Sequence, residues 1–124
     1  MANTVASRKG KGRRLQQEVV ARILATFDTL DHNDLLSIPG GVPGPDVWLS
    51  SKATDTIGKW DIECKNTEKL SIWAALEQVT KRLAEAVKPV LIFKRNHSDT
   101  YATIRLEDFL SLVANQRRED ESQG

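Results

Sequence analysis

The sequence predicts an α/β domain in which helices flank a central mixed five-stranded sheet, in the order αβββαββα. Apolar residues recur at helical spacing in three segments, which indicates three amphipathic helices. The continuous apolar run at residues 89–93 has the length of a central strand that is covered on both faces. At 124 residues the chain is long enough for one domain with a real core.

The predicted elements follow from periodicity and from turn residues. In the first helix Val20, Ile23, Phe27 and Leu30 recur at a spacing of three or four residues. The Gly/Pro-rich segment 39–45 is predicted as a loop, because prolines and glycines interrupt regular structure. In chain order we predict helix 13–30, strands 35–38, 46–50 and 59–65, with a turn region at 51–58, then helix 70–87, strands 89–93 and 100–104, and helix 107–115.

Charge is distributed unevenly along the chain, although the formal net charge is only +1. Residues 1–25 contain six basic residues and one acid, an excess that suits contact with a phosphate backbone. A solvated terminus is the alternative interpretation. We predict a flexible basic arm at 1–12, a single domain at 13–115 and a disordered tail at 116–124.

Several classes of protein are excluded by composition. The single cysteine, Cys64, excludes an internal disulfide and a cysteine-rich zinc module. No apolar run approaches the roughly 18–20 residues of a membrane span, and the N-terminus lacks the apolar core of a signal peptide. The sequence therefore predicts a cytoplasmic protein with no membrane partner.

Acidic and basic residues alternate with apolar residues along the third predicted strand. Because side chains alternate across a strand, Asp61, Glu63 and Lys65 should share one face. Asp46 stands at the entrance of the preceding strand, immediately after the Gly/Pro-rich loop. If the two strands pair as a hairpin, Asp46 approaches Glu63 and Lys65. The opposite, core-facing side of the third strand should carry Trp60, Ile62 and Cys64.

This combination of residue types is suited to metal-assisted hydrolysis. Two carboxylates can bind a hard cation such as Mg²⁺, which retains several waters, and a bound metal lowers the pKa of a water. A neighbouring lysine can orient that water and offset charge in the transition state. A solvated strand face with ion pairs is the alternative, and Asp61 fits an ion pair better than a ligand.

Pro45-Asp46 followed by Glu63-Cys64-Lys65 resembles the signature of the PD-(D/E)XK nuclease superfamily. Within it the chain looks most like the Holliday junction resolvases of archaea and phages, on Arg8-Lys9-Gly10, on residues 12–18 and on Ile72-Trp73. The resemblance implies a restriction-endonuclease-like core and a Mg²⁺-dependent endodeoxyribonuclease, with Mn²⁺ as a substitute. It also implies a homodimer that introduces paired symmetric nicks in four-way DNA junctions.

The resemblance also implies roles for individual residues. Asp46 and Glu63 would bind the metal together with the backbone carbonyl of Cys64, Lys65 would position the water, and Glu18 would complete the site. Ser37 and Gln78 are possible supporting residues. The expected DNA contacts are Arg8, Lys9, Lys11, Arg13, Arg14 and Arg95. Two alternatives stay open at this point: another DNA nuclease of the same superfamily, and a non-catalytic DNA-binding module.

Overall fold

The computed structural model describes residues 5–123 of the chain. Helices and strands alternate in an α/β arrangement, which confirms the predicted class. In chain order the elements are α1 (Val5–Thr26), β1 (Leu35–Ser37), β2 (Val47–Leu49), α2 (Ser51–Ile57), β3 (Trp60–Asn66), α3 (Ile72–Lys81), β4 (Lys88–Lys94), β5 (Tyr101–Ile104) and α4 (Leu106–Gln123).

The strands form two sheets, so the predicted single five-stranded sheet is wrong. Strands β1 and β2 form an antiparallel pair. In the second sheet β4 is the central strand, as its apolar run predicted. It is parallel to β3 and antiparallel to β5. The connection between β2 and β3 contains α2 instead of the tight turn that a hairpin needs. The two sheets meet through a backbone hydrogen bond of 2.8 Å from Asp46 N–H to the Ile62 carbonyl.

Helix α2 occupies the segment that was predicted as a turn region. The Ser50 hydroxyl caps this helix by accepting a hydrogen bond of 3.0 Å from the backbone N–H of Ala53. The same hydroxyl donates to Asp34 Oδ1 at 2.7 Å. Ala53 is fully buried against the core. The helix was missed because Thr54, Thr56 and Ile57 are β-branched residues with low helical propensity.

The core lies between α1 and the sheets. Leu15 and Val19 of α1 are buried together with Ile62 and Cys64 of β3, which confirms the predicted core-facing side of this strand. Val47 of β2 and Leu35 of β1 join the same cluster, so the small sheet shares the core of the larger one. One apolar core therefore fixes both sheets relative to α1.

Several predicted boundaries differ from the structure. Helix α1 begins at Val5, so residues 5–12 of the predicted flexible arm are helical, while residues 1–4 lie outside the described part. Helix α3 ends at Lys81, before the predicted end at residue 87. Helix α4 continues to Gln123 through most of the predicted disordered tail, and residue 124 is not described. None of the described helices is both long and apolar enough to cross a membrane.

Candidate active site

A polar pocket of about 430 Å³ lies where the two sheets meet. It combines side chains from α1, β3 and α3 with the backbone of the Gly/Pro-rich loop. Its lining residues are Gln16, Gly41, Val42, Pro43, Gly44, Asp46, Glu63, Cys64, Lys65, Gln78 and Arg82. The predicted residues Asp46, Glu63, Lys65 and Gln78 are therefore together in one cavity, with the Cys64 backbone beside them.

Asp46 is held between the two sheets by its backbone and its side chain. Its N–H donates to the Ile62 carbonyl, and its own carbonyl accepts from Ile38 N–H, each at 2.8 Å. Its Oδ2 accepts a hydrogen bond of 2.7 Å from Cys64 N–H. Gly44, two residues earlier, has φ +107°, a conformation that L residues with side chains rarely adopt. The glycine thus lets the loop turn sharply into Asp46.

Glu63 and Lys65 share one face of β3, as strand alternation predicted. Glu63 is only 4% exposed, and Lys65 Nζ lies 3.4 Å from its Oε2. Lys65 is only partly buried, with 32% of its side chain exposed. A buried carboxylate beside a partly exposed lysine can hold charge inside the pocket while a substrate approaches from solvent.

Arg82, at the C-terminal end of α3, was missed by the sequence analysis. Its Nη2 lies 2.6 Å from Asp61 Oδ1 and its Nε 3.0 Å from Asp61 Oδ2, a two-point contact. The same Nη2 is 2.8 Å from Glu63 Oε1. Hydrogen bonding to Asp61, with the negative charges of Asp61 and Glu63 close by, raises the pKa of Arg82 above its usual range. Asp61 is thus confirmed as an ion-pair residue. The sequence signal that could have identified Arg82 was its helical i,i+4 spacing from Gln78.

The pKa values in the pocket reflect carboxylates that lie close together and are partly buried. Burial raises the pKa of Asp46, and the charge of Glu63 raises it further, although the Cys64 N–H, Arg82 and Lys65 act in the opposite direction. Burial, with Asp46 and Glu63 nearby, raises the pKa of the Cys64 thiol to about 12. Cys64 is thus a neutral core residue, and only its backbone serves the pocket.

The structure does not bring Glu18 into this pocket. Its Oε2 accepts a hydrogen bond of 2.9 Å from Thr100 Oγ1 and lies 3.3 Å from Arg22 Nη1. Glu18 is not among the residues that line the pocket, and its side of α1 is turned towards the start of β5. Gln16 reaches the pocket instead and accepts a hydrogen bond of 2.8 Å from the hydroxyl of Ser37. Ser37 is therefore linked to the pocket through Gln16.

The expected DNA contacts occupy three places. Arg8 and Lys11 line a neighbouring cavity of about 360 Å³ with Asn66 and Lys69. Arg95 lies in the turn after β4, where its N–H donates to Ser98 Oγ at 3.0 Å. The exposed side chains of α1 include those of Lys9, Arg13 and Arg14. None of these basic residues is among those that line the polar pocket.

The donor set of the pocket fits a hard cation. Glu63 Oε1 is buried without a hydrogen-bond partner, since Arg82 Nη2 is close but not aligned for one. The Cys64 N–H points towards Asp46. Because the N–H and C=O of one residue in a strand point to the same side, the Cys64 carbonyl also points towards Asp46. The part of the chain that is described contains no cluster of three or more His, Cys, Asp or Glu residues placed to hold a metal.

Comparison of the chain with family models, curated proteins and solved structures gives no match.

Proposed function

We propose that this chain is a metal-dependent DNA endonuclease with a restriction-endonuclease-like site. One observation carries the proposal: Asp46 from the β2 entrance and Glu63 and Lys65 from β3 line the same polar pocket although they belong to different sheets. Buried charged groups without a structural need are costly, which favours a functional reason for this arrangement. The α/β order of elements is compatible with that fold.

Each residue of the pocket has a definite task in this proposal. Asp46 and Glu63, with the Cys64 carbonyl, would hold Mg²⁺ or Mn²⁺. When bound, the metal supplies Lewis acidity towards the phosphate and lowers the pKa of a water. Lys65 hydrogen-bonds the attacking water and offsets negative charge in the transition state. Gln78 and Gln16 donate amide hydrogen bonds to phosphate oxygens or waters within the cavity.

Arg82 serves as the permanent countercharge of the site. Its bidentate contact with Asp61 fixes the guanidinium, and its Nη2 remains beside Glu63. This cation lowers the cost of holding Glu63 ionised in a buried position. The contact with Glu63 lacks hydrogen-bond alignment, and a cation bound at Oε1 would displace Arg82 Nη2 from its 2.8 Å position there.

We propose a four-way junction as the substrate and paired symmetric nicks as the outcome. The support is the resemblance of the sequence motifs to junction resolvases and the excess of basic residues on α1, which suits contact with phosphates. A junction has approximate two-fold symmetry, so a homodimer with two equivalent sites would match it.

The test is cleavage of a panel of labelled DNAs: four-way junction, flap, nicked duplex and linear duplex, each in Mg²⁺, Mn²⁺ or Ca²⁺. Paired symmetric nicks in the junction, with Mg²⁺ or Mn²⁺ and not with Ca²⁺, are expected. Comparable cutting of linear duplex would replace the junction with another DNA substrate. Binding of DNA without cutting in any metal would overturn the enzyme and leave a DNA-binding module.

A further inference from the structure

A row of three side chains crosses the larger sheet from the polar pocket to the edge strand. Lys65 of β3 lies opposite Phe93 of β4, and Phe93 lies opposite Tyr101 of β5. Residues that lie directly opposite each other project from the same face of a sheet. Because Cys64 and Ile92 pack in the core under α1, this row lies on the other face. The row therefore begins at the lysine of the pocket and ends in two aromatic rings.

The two rings are stacked, and the outer ring is open to solvent. The ring centroids of Phe93 and Tyr101 are 5.8 Å apart, and the ring planes differ by 25°. Tyr101 is 55% exposed, and β5 is an edge strand of its sheet. Cross-strand stacking by itself stabilises the sheet, so a further role of the open ring depends on its surroundings.

The stacked rings border a cavity of about 230 Å³. Leu70, Phe93 and Tyr101 give this cavity an apolar wall. The basic residues Lys94 and Arg95 also line it, and neither side chain forms an ion pair with another residue of the described range 5–123. Their charges are therefore available to an anionic group that approaches the cavity.

The acid in the lining of this cavity, Glu68, is used by the turn between β4 and β5. Its Oε2 accepts a hydrogen bond of 2.7 Å from Asn96 N–H. The hydroxyl of Ser98 accepts one of 3.0 Å from Arg95 N–H, which fixes the turn that carries this arginine. Aromatic rings beside free cations suit a nucleotide, because the base stacks on a ring and the phosphate contacts a cation.

The cavity is close to both proposed DNA-binding regions. Adjacent strands lie about 4.8 Å apart, so Tyr101 is about 10 Å from Lys65 along the row. Thr67 and Glu68 line this cavity and also the cavity of about 360 Å³ on the α1 side. Bases along one DNA strand are about 3.4 Å apart. A strand with a phosphate in the polar pocket would therefore reach the open ring within a few nucleotides.

We propose that Phe93 and Tyr101, with the cavity beside them, form a stacking site for an unpaired base of the DNA substrate, a few nucleotides from the scissile phosphate. A paired base presents its faces to its neighbours in the duplex, so only an unpaired base can lie on Tyr101. The site therefore favours branched DNA, where bases at the branch point open more readily than bases within a duplex. Its place beside the scissile phosphate rests on the proposed function, whereas binding of the base does not.

The first experiment measures the affinity of the full chain for a thymine-rich single strand and for a linear duplex, both in EDTA so that no strand is cut. Tyr101→Leu keeps an apolar side chain without the ring and should weaken single-strand binding about tenfold, the effect of losing one base–aromatic stack. Tyr101→Phe keeps the ring and should bind as the wild type does. All three proteins should bind the duplex equally. Equal single-strand affinity of the wild type and Tyr101→Leu, including no binding by either, would overturn the stacking site, as would equal losses in both variants.

Phe109→Leu is the matched control for the removal of an exposed ring. Phe109 is 52% exposed and belongs to the apolar stripe of α4, which faces solvent and consists of Leu106, Phe109, Leu110 and Val113. Because Phe109 does not line the cavity, this variant should keep the wild-type affinity for the single strand. A loss as large as that of Tyr101→Leu would overturn the proposal, since any exposed ring would then produce the effect.

The second experiment detects the stacking itself. A fluorescent adenine analogue among the thymines of the single strand should be quenched by the wild type and by Tyr101→Phe, and less by saturating Tyr101→Leu. Equal quenching by all three proteins would overturn the proposal.

Cleavage assays separate this proposal from the nuclease. A chain that cuts no DNA but shows the Tyr101 effects would lose the nuclease and keep the stacking site. A chain that cuts four-way junctions, and whose Tyr101→Leu variant binds single strands as the wild type does, would keep the nuclease and lose the stacking site.

Discussion

Strand β3 buries charged residues, whereas helix α4 exposes apolar ones. On β3 the charged residues Asp61 and Glu63 are buried, while on α4 the large apolar residues Phe109 and Leu110 are about half exposed. The buried charges have a partner within the chain, since Arg82 contacts both carboxylates. The apolar stripe has no such cover among the described residues. The difference separates a pocket whose buried acids have a countercharge within the chain from an apolar stripe that no described residue covers.

The largest effect is expected at the buried carboxylate of Glu63. Glu63→Gln should reduce cleavage by roughly 1,000-fold or more, because several kcal/mol of transition-state stabilisation through the metal would be lost. DNA binding should persist, and single-turnover cleavage together with a binding titration would separate the two. Asp46→Asn should behave in the same way.

Glu18→Gln is the matched control, since it removes the same charge from a residue outside the pocket. It should cut close to the wild-type rate. Loss of cleavage in Glu18→Gln comparable to that in Glu63→Gln would contradict the site as drawn from the structure.

The next prediction tests whether Arg82 stabilises the buried carboxylates of β3. Arg82→Met should destabilise the fold by about 3–5 kcal/mol, because it leaves the buried Asp61 without a countercharge and Glu63 with Lys65 alone. Urea denaturation measures this change. Arg117→Met removes an arginine from an exposed pair with Glu121 and should cost less than about 1 kcal/mol. If the two variants lose equal stability, the Arg82 contacts do not stabilise the buried carboxylates of β3.

A smaller effect is expected for the proposed DNA contacts of α1. Replacing both Arg8 and Lys11 by Ala should reduce the slope of log affinity against log salt by about 2, since two phosphate contacts would be lost. Replacing Arg117 and Arg118, on the far half of α4, should leave the slope unchanged. An unchanged slope in the first variant would mean that the cavity lined by Arg8 and Lys11 does not contact DNA.

The smallest effect concerns the cost of keeping Asp46 charged. Its pKa is raised, chiefly by burial, so the folded state binds this proton more readily than the unfolded state. The ionised carboxylate therefore lowers stability at neutral pH, and the penalty disappears below the ordinary aspartate pKa of about 4. In EDTA, Asp46→Asn should modestly raise the melting temperature at pH 7 and lose this advantage near pH 3. A lower melting temperature at pH 7 would show that the Cys64 N–H contact outweighs the burial cost.

Period-two alternation was sufficient to predict the faces of β3, because burial of Ile62 and Cys64 under α1 leaves Asp61, Glu63 and Lys65 on the other side. The central position of β4 followed from its apolar run in the same way. The Gly/Pro-rich loop was also predicted correctly, since proline restricts the backbone locally and glycine permits conformations that helices and strands do not use.

Contacts between distant segments could not be predicted. Glu18 and Gln16 are two residues apart, and only the packing of Leu15 and Val19 decides which of them faces the pocket. Arg82 resembles any other basic residue near a helix end until α3 lies beside β3. Helix α2 depends on a cap that includes Asp34, sixteen residues before Ser50, so its propensity alone was misleading.

Alone, the sequence determined the α/β class, the acid-base face of β3 and the amphipathic character of α4, because each depends on side chains within one element. The tertiary structure decided that two sheets, rather than one, meet at Asp46, that Arg82 neutralises the buried acids, and that the apolar side of α4 is left open. Those features depend on loop lengths and on long-range packing, and a single residue between β5 and α4 decides the last of them.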